Sequence, residues 1–420
     1  MTPPPHPALR LSDRIAELLA DPADAPVAWT SRPQWRQSLA HGAPGIGLLH
    51  IERAAAGRGS WEPARAWLAV AAGVPITSGA DSYLYYGAPA FAHTLACAAQ
   101  ARPGSYRRAL THLDQVVADD AVRRSEEALA RIDRGEFPAL AEFDTIRGLA
   151  GVGAVLLRRA PNGRAIRRVL TYLVRLTESV KHDGELLPGW WTADSPSGKP
   201  DRRFPHGHAN NGLAHGIAGP LALLALALRR GVEVEGQHAA IRTVLAWLER
   251  WRDRHVWPYW ITSAHLTGPD RRPLAPQRPS WCYGTAGVAR AQQLAALALG
   301  DPRLRHQAES ALATALLDPL AIAATTDVSA CHGYAGLAHI AHRAAANASP
   351  RNAARLRAAT ALLLDTTHPP GTDPDEQARR LLASVGPAFL DGAAGTALAL
   401  LSPASGTTPA TRWDACLLTS

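Results

Sequence analysis

Cysteine and long apolar runs are both scarce in this sequence. Four cysteines in 420 residues exclude a small scaffold held together by disulfides. No apolar run approaches the roughly 18 residues that cross a bilayer, and the N-terminal MTPPPHPALR lacks the apolar core of a signal peptide. Since 47% of the residues are apolar, we expect a cytoplasmic globular protein with a large core.

Lysine is almost absent, so the positive charge comes from arginine. Lys181 and Lys199 are the two lysines, against 42 arginines, and the net charge is +8. The arginines occur in scattered pairs, such as Arg107 with Arg108, and not in one basic tract. We therefore expect no nucleic-acid partner, although a mildly basic surface favours an acidic peptide.

Glycine is informative through its arrangement. A G-x-x-G element followed by small and apolar residues recurs along the chain, and it marks internal repeats. Six repeats have both glycines, and a seventh has Ala90 in place of the second. The first glycines are Gly42, Gly87, Gly148, Gly216, Gly284, Gly333 and Gly392. No linker separates the repeats, so we expect residues 1–420 to form a single domain.

Each repeat has room for two helices. Residues 220–228 are apolar on all sides, which predicts a buried helix. The segment that follows is amphipathic, because Ile241, Val244 and Leu248 form one stripe opposite Arg242. About seven such pairs predict an all-α fold, a closed α/α toroid with G-x-x-G at the starts of the inner helices. We expect the glycines to permit close packing at these starts.

The third and fourth repeats are separated by a long connection. Residues 178–212 are rich in turn formers and predict a long loop with a short hairpin. His206 and His208 lie in this segment as H-x-H. They could be metal ligands, but we interpret them as part of a solvated loop.

Superposing the repeats on their first glycine aligns residues that could carry chemistry. The preceding residue is polar in every repeat: His41, Tyr86, Arg147, His215, Tyr283, His332 and Asp391. One position earlier, Cys282 and Cys331 occupy equivalent places in consecutive repeats. Cys282, Cys331 and His332 therefore form a candidate three-ligand zinc site with an open fourth position. The alternative is two buried structural cysteines, which is how we interpret Cys97 and Cys416.

The motifs SWCYGTAG, ACHGYAG, GLAHGIAGP and EFDTIRGLAG resemble those of the LanC-type lanthipeptide cyclases, as does the C-terminal RWDACLL. The resemblance covers essentially all of the repeats. It implies an α/α toroid that binds one zinc ion through Cys282, Cys331 and His332. It also implies functional roles for His215, Asp144, Arg278 and Tyr283.

The family reaction adds a peptide cysteine thiol to dehydroalanine or dehydrobutyrine, which closes a thioether ring. A free thiol has a pKa of about 8.5, and zinc deprotonates a bound thiol. By this resemblance His215 is the candidate acid or base, and Asp144 orients it or tunes its charge. The alternative for Asp144 is a helix cap. Arg278 and Tyr283 would stabilise the enolate or position the peptide. The alternative for Arg278 is a structural ion pair.

The expected partners follow from the same reaction. The repeats fill the chain, so we expect a separate dehydratase to prepare a leader-bearing precursor peptide. Three alternatives stay open from the residues: a zinc-dependent prenyl transferase, a LanC-like zinc protein that binds glutathione or a thiol peptide without cyclisation, and an inert helical scaffold. The second cysteine and the scarcity of lysine argue against the prenyl transferase.

Overall fold

The fold was determined as a computed structural model that describes residues 5–32, 34–267 and 277–420. The described α-helices are α1 (Ala8–Leu18), α2 (Val27–Thr30), α3 (Ala43–Ala55), α4 (Glu62–Ala72), α5 (Ala88–Ala101), α6 (Arg107–Asp133), α7 (Leu140–Phe143), α8 (Leu149–Arg159), α9 (Arg164–Arg175), α10 (Ala218–Leu228), α11 (Gln237–Arg250), α12 (Ser263–Thr267), α13 (Thr285–Leu299), α14 (Pro302–Leu317), α15 (Pro319–Ala323), α16 (Tyr334–Ala345), α17 (Pro350–Thr367), α18 (Pro374–Val385) and α19 (Ala393–Ser405). The strands are β1 (Val180–His182), β2 (Glu185–Leu187), β3 (Trp191–Thr192), β4 (His208–Asn210) and β5 (Trp260–Thr262). None of the described helices is long and apolar enough to cross a membrane.

The helix starts predicted from the repeats are confirmed. Six helices begin at the residue after the first glycine of a repeat, namely α3, α5, α8, α13, α16 and α19. In the fourth repeat, α10 begins two residues after Gly216. The repeat therefore fixes where a buried helix starts.

The chain forms two compact units. The first contains Met1–Val116 and Thr325–Cys416, and the second contains Val117–Ala324 and Leu417–Ser420. The expectation that residues 1–420 are one domain stays a prediction.

In the first unit, the last inner helix, α19, packs on the N-terminal helix α1. Helix α19 packs on α3 and α16, and it also packs on α1. The Ser12 hydroxyl donates a hydrogen bond to the Ala397 carbonyl at 2.8 Å, and the His6 amide donates to the Ala404 carbonyl at 2.8 Å. The N-terminal helix thus takes the place beside α19 that a following amphipathic helix takes in the other repeats.

In the second unit, α10 lies at the centre of the helix packing. It contacts α8, α11 and α13, and all of its residues except Leu228 are buried. Helix α11 buries Ile241, Val244 and Leu248 and exposes Arg242. The predicted pair of a buried and an amphipathic helix is confirmed here.

Residues 178–212 were expected to form a long loop with a short hairpin, and they contain that hairpin together with two strands of a second small sheet. Strands β1 and β2 form an antiparallel hairpin, and β4 pairs with both β3 and β5. The small sheet holds the chain as it enters the fourth repeat, so that the residues after β4 have a fixed position.

The second glycine of a repeat lies against the loop that precedes its own helix. A Cβ atom there would come within 3.0 Å of the carbonyl oxygen six residues earlier, which real Cβ atoms essentially never do. This holds at Gly45, Gly219, Gly287, Gly336 and Gly395. The close packing at these glycines therefore involves the loop before the same helix and, at Gly45 and Gly219, also a residue of another repeat, Phe389 and Thr145.

We predict that Gly395→Ala destabilises the protein by about 3 kcal/mol, because the new methyl group would overlap the backbone carbonyl of Phe389. The matched control is Gly59→Ala, whose Cβ would meet nothing closer than 3.8 Å and should change the free energy of unfolding by less than about 0.5 kcal/mol. Urea denaturation of both variants measures the difference. Equal stabilities would contradict the proposed role of the second glycine.

Candidate active site and metal centre

The second unit contains a carboxylate–imidazole pair. Asp144 follows α7, and His215 lies between β4 and α10. The Asp144 Oδ2 and His215 Nδ1 atoms are 2.8 Å apart. The Asp144 side chain is buried, whereas 36% of the His215 side chain is exposed. With Nδ1 bonded to Asp144, Nε2 is the nitrogen that can exchange a proton with a substrate.

Asp144 also caps the chain that enters α8. Its Oδ1 atom accepts hydrogen bonds from the amides of Arg147 and Gly148, both at 2.7 Å. Asp144 can therefore be both a cap and the partner of His215. Its Oδ1 atom accepts from the two amides, and its Oδ2 atom pairs with the imidazole. The caps hold the carboxylate in one orientation.

Thr145 connects the two loops that carry this pair. Its amide donates to the Ala214 carbonyl at 2.9 Å, and its hydroxyl donates to the Leu213 carbonyl at 2.6 Å. Thr145 is fully buried, so losing either partner would cost about 1–3 kcal/mol. These two hydrogen bonds hold the Asp144 loop at a fixed distance from the His215 loop. The sequence motifs did not indicate this role of Thr145.

The surroundings of His215 favour its charged form. Burial of the imidazole lowers its pKa, but the hydrogen bond and negative charge of Asp144, together with Cys282, act in the opposite direction. The net pKa of His215 is raised. At a raised pKa a larger fraction of the imidazole carries a transferable proton near neutral pH.

Tyr283 lies beside His215 in an aromatic group. The Tyr283 ring centroid is 6.0 Å from that of His215, 5.2 Å from that of Tyr259 and 5.9 Å from that of Trp260. The Asn210 side-chain amide donates to the Tyr283 hydroxyl at 3.1 Å. The sequence motifs predicted Tyr283 but missed Asn210, Tyr259 and Trp260, which lie outside the repeat elements.

A cleft of about 340 Å³ opens onto His215 and Tyr283. Its other walls come from the connection between the third and fourth repeats and from β5. They are formed by Ser195, Pro196, Ser197, Asp201, Arg203, Phe204 and Trp260. The cleft can admit a few side chains of a peptide next to the Asp144–His215 pair.

Arg278 lies next to Tyr259. The Tyr259 hydroxyl donates to the Arg278 carbonyl at 2.9 Å. Burial raises the pKa of Tyr259 to about 12, although the Arg278 charge and hydrogen bonds act in the opposite direction. Tyr259 is therefore a neutral hydrogen-bonding group at physiological pH, and it links Arg278 to the aromatic group around Tyr283.

The first unit contains a group of potential metal ligands. One ligand atom from each of Cys331, His332 and Asp391 lies within 4.8 Å of the other two. The His332 Nδ1 atom is 2.7 Å from Asp327 Oδ2, the arrangement in which metal-binding histidines are commonly held. Burial alone would raise the pKa of Asp327, but hydrogen bonds from His332 and Ser329 lower it to about 2. Thiolate, imidazole and carboxylate are all zinc ligands, so these residues fit that ion.

Cys282, the remaining predicted ligand, belongs to the second unit. Its side chain is buried, and its carbonyl accepts a hydrogen bond from the Ala214 amide at 3.2 Å. Because Cys331 and His332 belong to the first unit, one zinc site shared by all three stays a prediction.

The other cysteines and the two loop histidines were also assigned from the sequence. Cys97 and Cys416 are buried, and the Cys416 thiol donates to the Trp413 carbonyl at 3.2 Å.

His206 is exposed. The expectation of a solvated loop is wrong for His208, which is fully buried in β4. Burial lowers the pKa of His208 to about 4, and its Nδ1 atom lies 2.8 Å from the Asp194 carbonyl oxygen.

The repeated helix starts, the Asp144–His215 pair and the Cys331–His332–Asp391 group define a class of protein: an α-helical repeat protein with a candidate metal centre. The sequence model of the lanthionine synthetase C-like proteins matches residues 33–418. This chain belongs to that family.

Two relatives are similar to this chain, one in sequence and one in fold. The nisin biosynthesis protein NisC of Lactococcus lactis subsp. lactis is 27% identical over 206 residues, which are 47% of this chain and 48% of that protein. The match thus spans about half the length of the relative. The solved structure of a nisin cyclase is similar with a TM-score of 0.77, at 21% identity, over 97% of this chain and 96% of that one. This similarity shows the fold and confirms the predicted α/α toroid.

We predict that Asp144→Asn lowers the pKa of His215. The asparagine oxygen can still accept from the Arg147 and Gly148 amides, but its NH₂ group would face Nδ1 and move the ring proton to Nε2. ¹⁵N NMR of the histidine side chains across a pH titration measures both effects. An unchanged His215 pKa would contradict the pairing.

The same variant should lose stability in a pH-dependent way. The raised pKa of His215 stabilises the native state below the unfolded pKa of about 6.5, and this contribution is lost as the pH rises through the native pKa. The free energy that Asp144→Asn costs should therefore be larger at about pH 6 than at about pH 8. Asp144→Ala, which also loses the cap, should cost about 1 kcal/mol more.

Proposed function

We propose that this protein is a zinc-dependent cyclase that adds cysteine thiols of a dehydrated precursor peptide to dehydroalanine or dehydrobutyrine, forming lanthionine or methyllanthionine rings. One observation carries the proposal: His215, paired with the buried Asp144 at 2.8 Å, lines a cleft in a member of the lanthionine synthetase C-like family. The pair provides the proton transfer that such an addition requires.

Cys282, Cys331 and His332 would hold the zinc ion, one per chain. The equivalent positions of Cys282 and Cys331 in consecutive repeats support this, as does the hydrogen bond between His332 Nδ1 and Asp327. When bound, zinc would deprotonate a substrate thiol and keep it nucleophilic. Two thiolates would cancel the charge of Zn²⁺, and a neutral imidazole would add none. A substrate sulfur at such a site would stay more nucleophilic than at a site with three neutral ligands.

His215 would supply a proton to the α-carbon after the thiol has added to the alkene. The addition places negative charge on an enolate, and the imidazolium form of His215 can donate through Nε2. Asp144 holds Nδ1 and so keeps Nε2 directed at the cleft. The raised pKa of His215 increases the fraction that carries the transferable proton near neutral pH.

Tyr283 and Arg278 would stabilise the enolate oxygen or position the peptide. The Tyr283 hydroxyl accepts a hydrogen bond from Asn210, which would hold it in position to donate a hydrogen bond to an enolate oxygen. Arg278, held beside Tyr259, would add positive charge near the developing negative charge.

The substrate and partners follow from this chemistry. A precursor peptide must already contain dehydrated serine or threonine residues, so a dehydratase must act first. We propose that this dehydratase is a separate protein, that the net charge of +8 favours an acidic leader segment, and that the reaction takes place in the cytoplasm. No nucleic acid takes part.

We predict that the zinc-loaded protein removes free thiols from a dehydrated precursor and that His215→Ala slows this by about 10²–10⁴-fold while one equivalent of zinc stays bound. Alkylation followed by mass spectrometry counts the remaining thiols, and elemental analysis measures zinc. The matched control is His206→Ala, because His206 is an exposed histidine outside the cleft and should retain full activity.

Two results would contradict the proposal. Persistent thiols with a zinc-loaded wild-type protein would exclude cyclisation and favour a protein that binds glutathione or a thiol peptide without turnover. Loss of zinc in His215→Ala would make His215 a ligand or a support of the metal site.

A further inference from the structure

Three aromatic rings line the cleft in a row that begins beside His215. The Tyr283 ring centroid is 6.0 Å from that of His215 and 5.9 Å from that of Trp260. The Trp260 centroid is in turn 5.5 Å from that of Phe204. All three rings belong to the lining of the cleft, and we call Phe204, Trp260 and Tyr283 the aromatic wall. It gives the cleft an apolar surface that starts next to the candidate proton donor.

Hydrogen bonds hold the aromatic wall in place. Trp260 is paired with Asn210 across strands β4 and β5, and the Asn210 side chain donates to the Tyr283 hydroxyl at 3.1 Å. Phe204 is 6% exposed, and its carbonyl accepts a hydrogen bond from the Gly207 amide at 3.1 Å. A wall that is already ordered loses little conformational freedom when a ligand binds, and this favours affinity.

The polar side chains that line the outer part of the cleft are paired with each other. The Arg203 Nη2 atom donates to Asp201 Oδ2 at 2.7 Å, and Arg203 Nε lies 3.2 Å from both carboxylate oxygens. The Ser195 and Ser197 hydroxyl oxygens are 2.8 Å apart. A charged peptide side chain would have to compete with the Asp201–Arg203 pair, whereas an apolar side chain gains by leaving water against the aromatic wall. The lining therefore favours an apolar side chain over a charged one.

The spacing of the rings indicates which residue of a peptide would contact the wall. An extended chain advances by about 3.3–3.6 Å per residue. The 5.9 Å between the ring centroids of Tyr283 and Trp260 therefore corresponds to one or two residues. A side chain against Trp260 would belong to a residue one or two positions from a dehydrated residue that lies beside His215 and Tyr283.

We propose that the aromatic wall is a specificity subsite, which binds a large apolar side chain, aliphatic or aromatic, one or two residues from the dehydrated residue of the substrate. This inference rests on the cyclase function proposed above and names the class of peptide that the cleft selects. Burial of such a side chain should favour the peptide by about 10–100-fold over one with glycine at that position.

The test uses the full-length, zinc-loaded protein and short synthetic peptides. Each peptide contains one dehydroalanine and one cysteine, and the residues one and two positions from the dehydroalanine, on either side, are in turn glycine, leucine, phenylalanine, aspartate or lysine. Thiol alkylation and mass spectrometry give kcat/KM for ring closure. A second, unreactive set has alanine in place of dehydroalanine and serine in place of cysteine, and isothermal titration calorimetry measures its binding.

Two substitutions test the assignment to the aromatic wall. Trp260→Ala removes its central ring, and Trp260→Phe keeps an aromatic ring there. The matched control is Trp61→Ala, because Trp61 is a partly buried tryptophan of the first unit. Circular dichroism checks that each variant is folded.

In wild type, the leucine and phenylalanine peptides should exceed the glycine, aspartate and lysine peptides by about 10–100-fold, both in kcat/KM and in the affinity of the unreactive set. Trp260→Ala should lose most of this preference, since the apolar side chain then has no ring to contact. Trp260→Phe should retain most of it, and Trp61→Ala should match wild type.

The outcomes separate this inference from the proposed function. Ring closure with equal kcat/KM for all peptides would overturn the subsite and leave the cyclase function standing. A preference that folded Trp260→Ala keeps in full would also overturn the subsite, because the side chain would then bind elsewhere. If the unreactive peptides bind with the expected preference but no peptide is cyclised, the subsite stands and the cyclase function fails. If no preference and no cyclisation are observed, both proposals fail.

Discussion

The contact between the second glycine of a repeat and the loop before its own helix is the constraint on which the rest of the structure depends. A side chain at Gly287 or Gly336 would overlap the carbonyl of Trp281 or Ala330. Because that contact is so close, the loop turns sharply into the helix, and the residues between the carbonyl and the helix have little freedom. Cys282, Tyr283, Cys331 and His332 all lie in this interval, so the packing of helix starts also orients the candidate site.

Hydrogen bonds between the loops fix the side chains of the candidate site further. Asp144 has one oxygen on two backbone amides and the other on His215, and Thr145 joins the two loops. His332 is held in the same way by Asp327. In both places a carboxylate on a loop fixes one imidazole nitrogen and leaves the other for chemistry. By our proposals, the same arrangement would serve proton transfer in one unit and metal binding in the other.

The repeat pattern was enough to predict the helix starts, the buried α10, the amphipathic α11 and the α/α toroid, because glycine and apolar spacing reflect backbone geometry directly. It could not predict that α1 packs on α19, since that contact joins distant parts of the chain. His208 was assigned to a solvated loop because a turn-rich sequence does not reveal the pairing of β4 with β3 and β5 that buries it. Asp327, Thr145 and Asn210 were missed for a related reason: their roles depend on three-dimensional neighbours, and no repeat position marks them.

The central claim is that equivalent positions at the starts of inner helices supply the ligands of one zinc ion. X-ray absorption at the zinc K edge of the purified protein tests it most directly. We predict two sulfur ligands at about 2.3 Å and nitrogen or oxygen ligands at about 2.0–2.1 Å, with one sulfur lost in Cys282→Ser. A wild-type spectrum with a single sulfur, or with none, would contradict a site built from Cys282, Cys331 and His332.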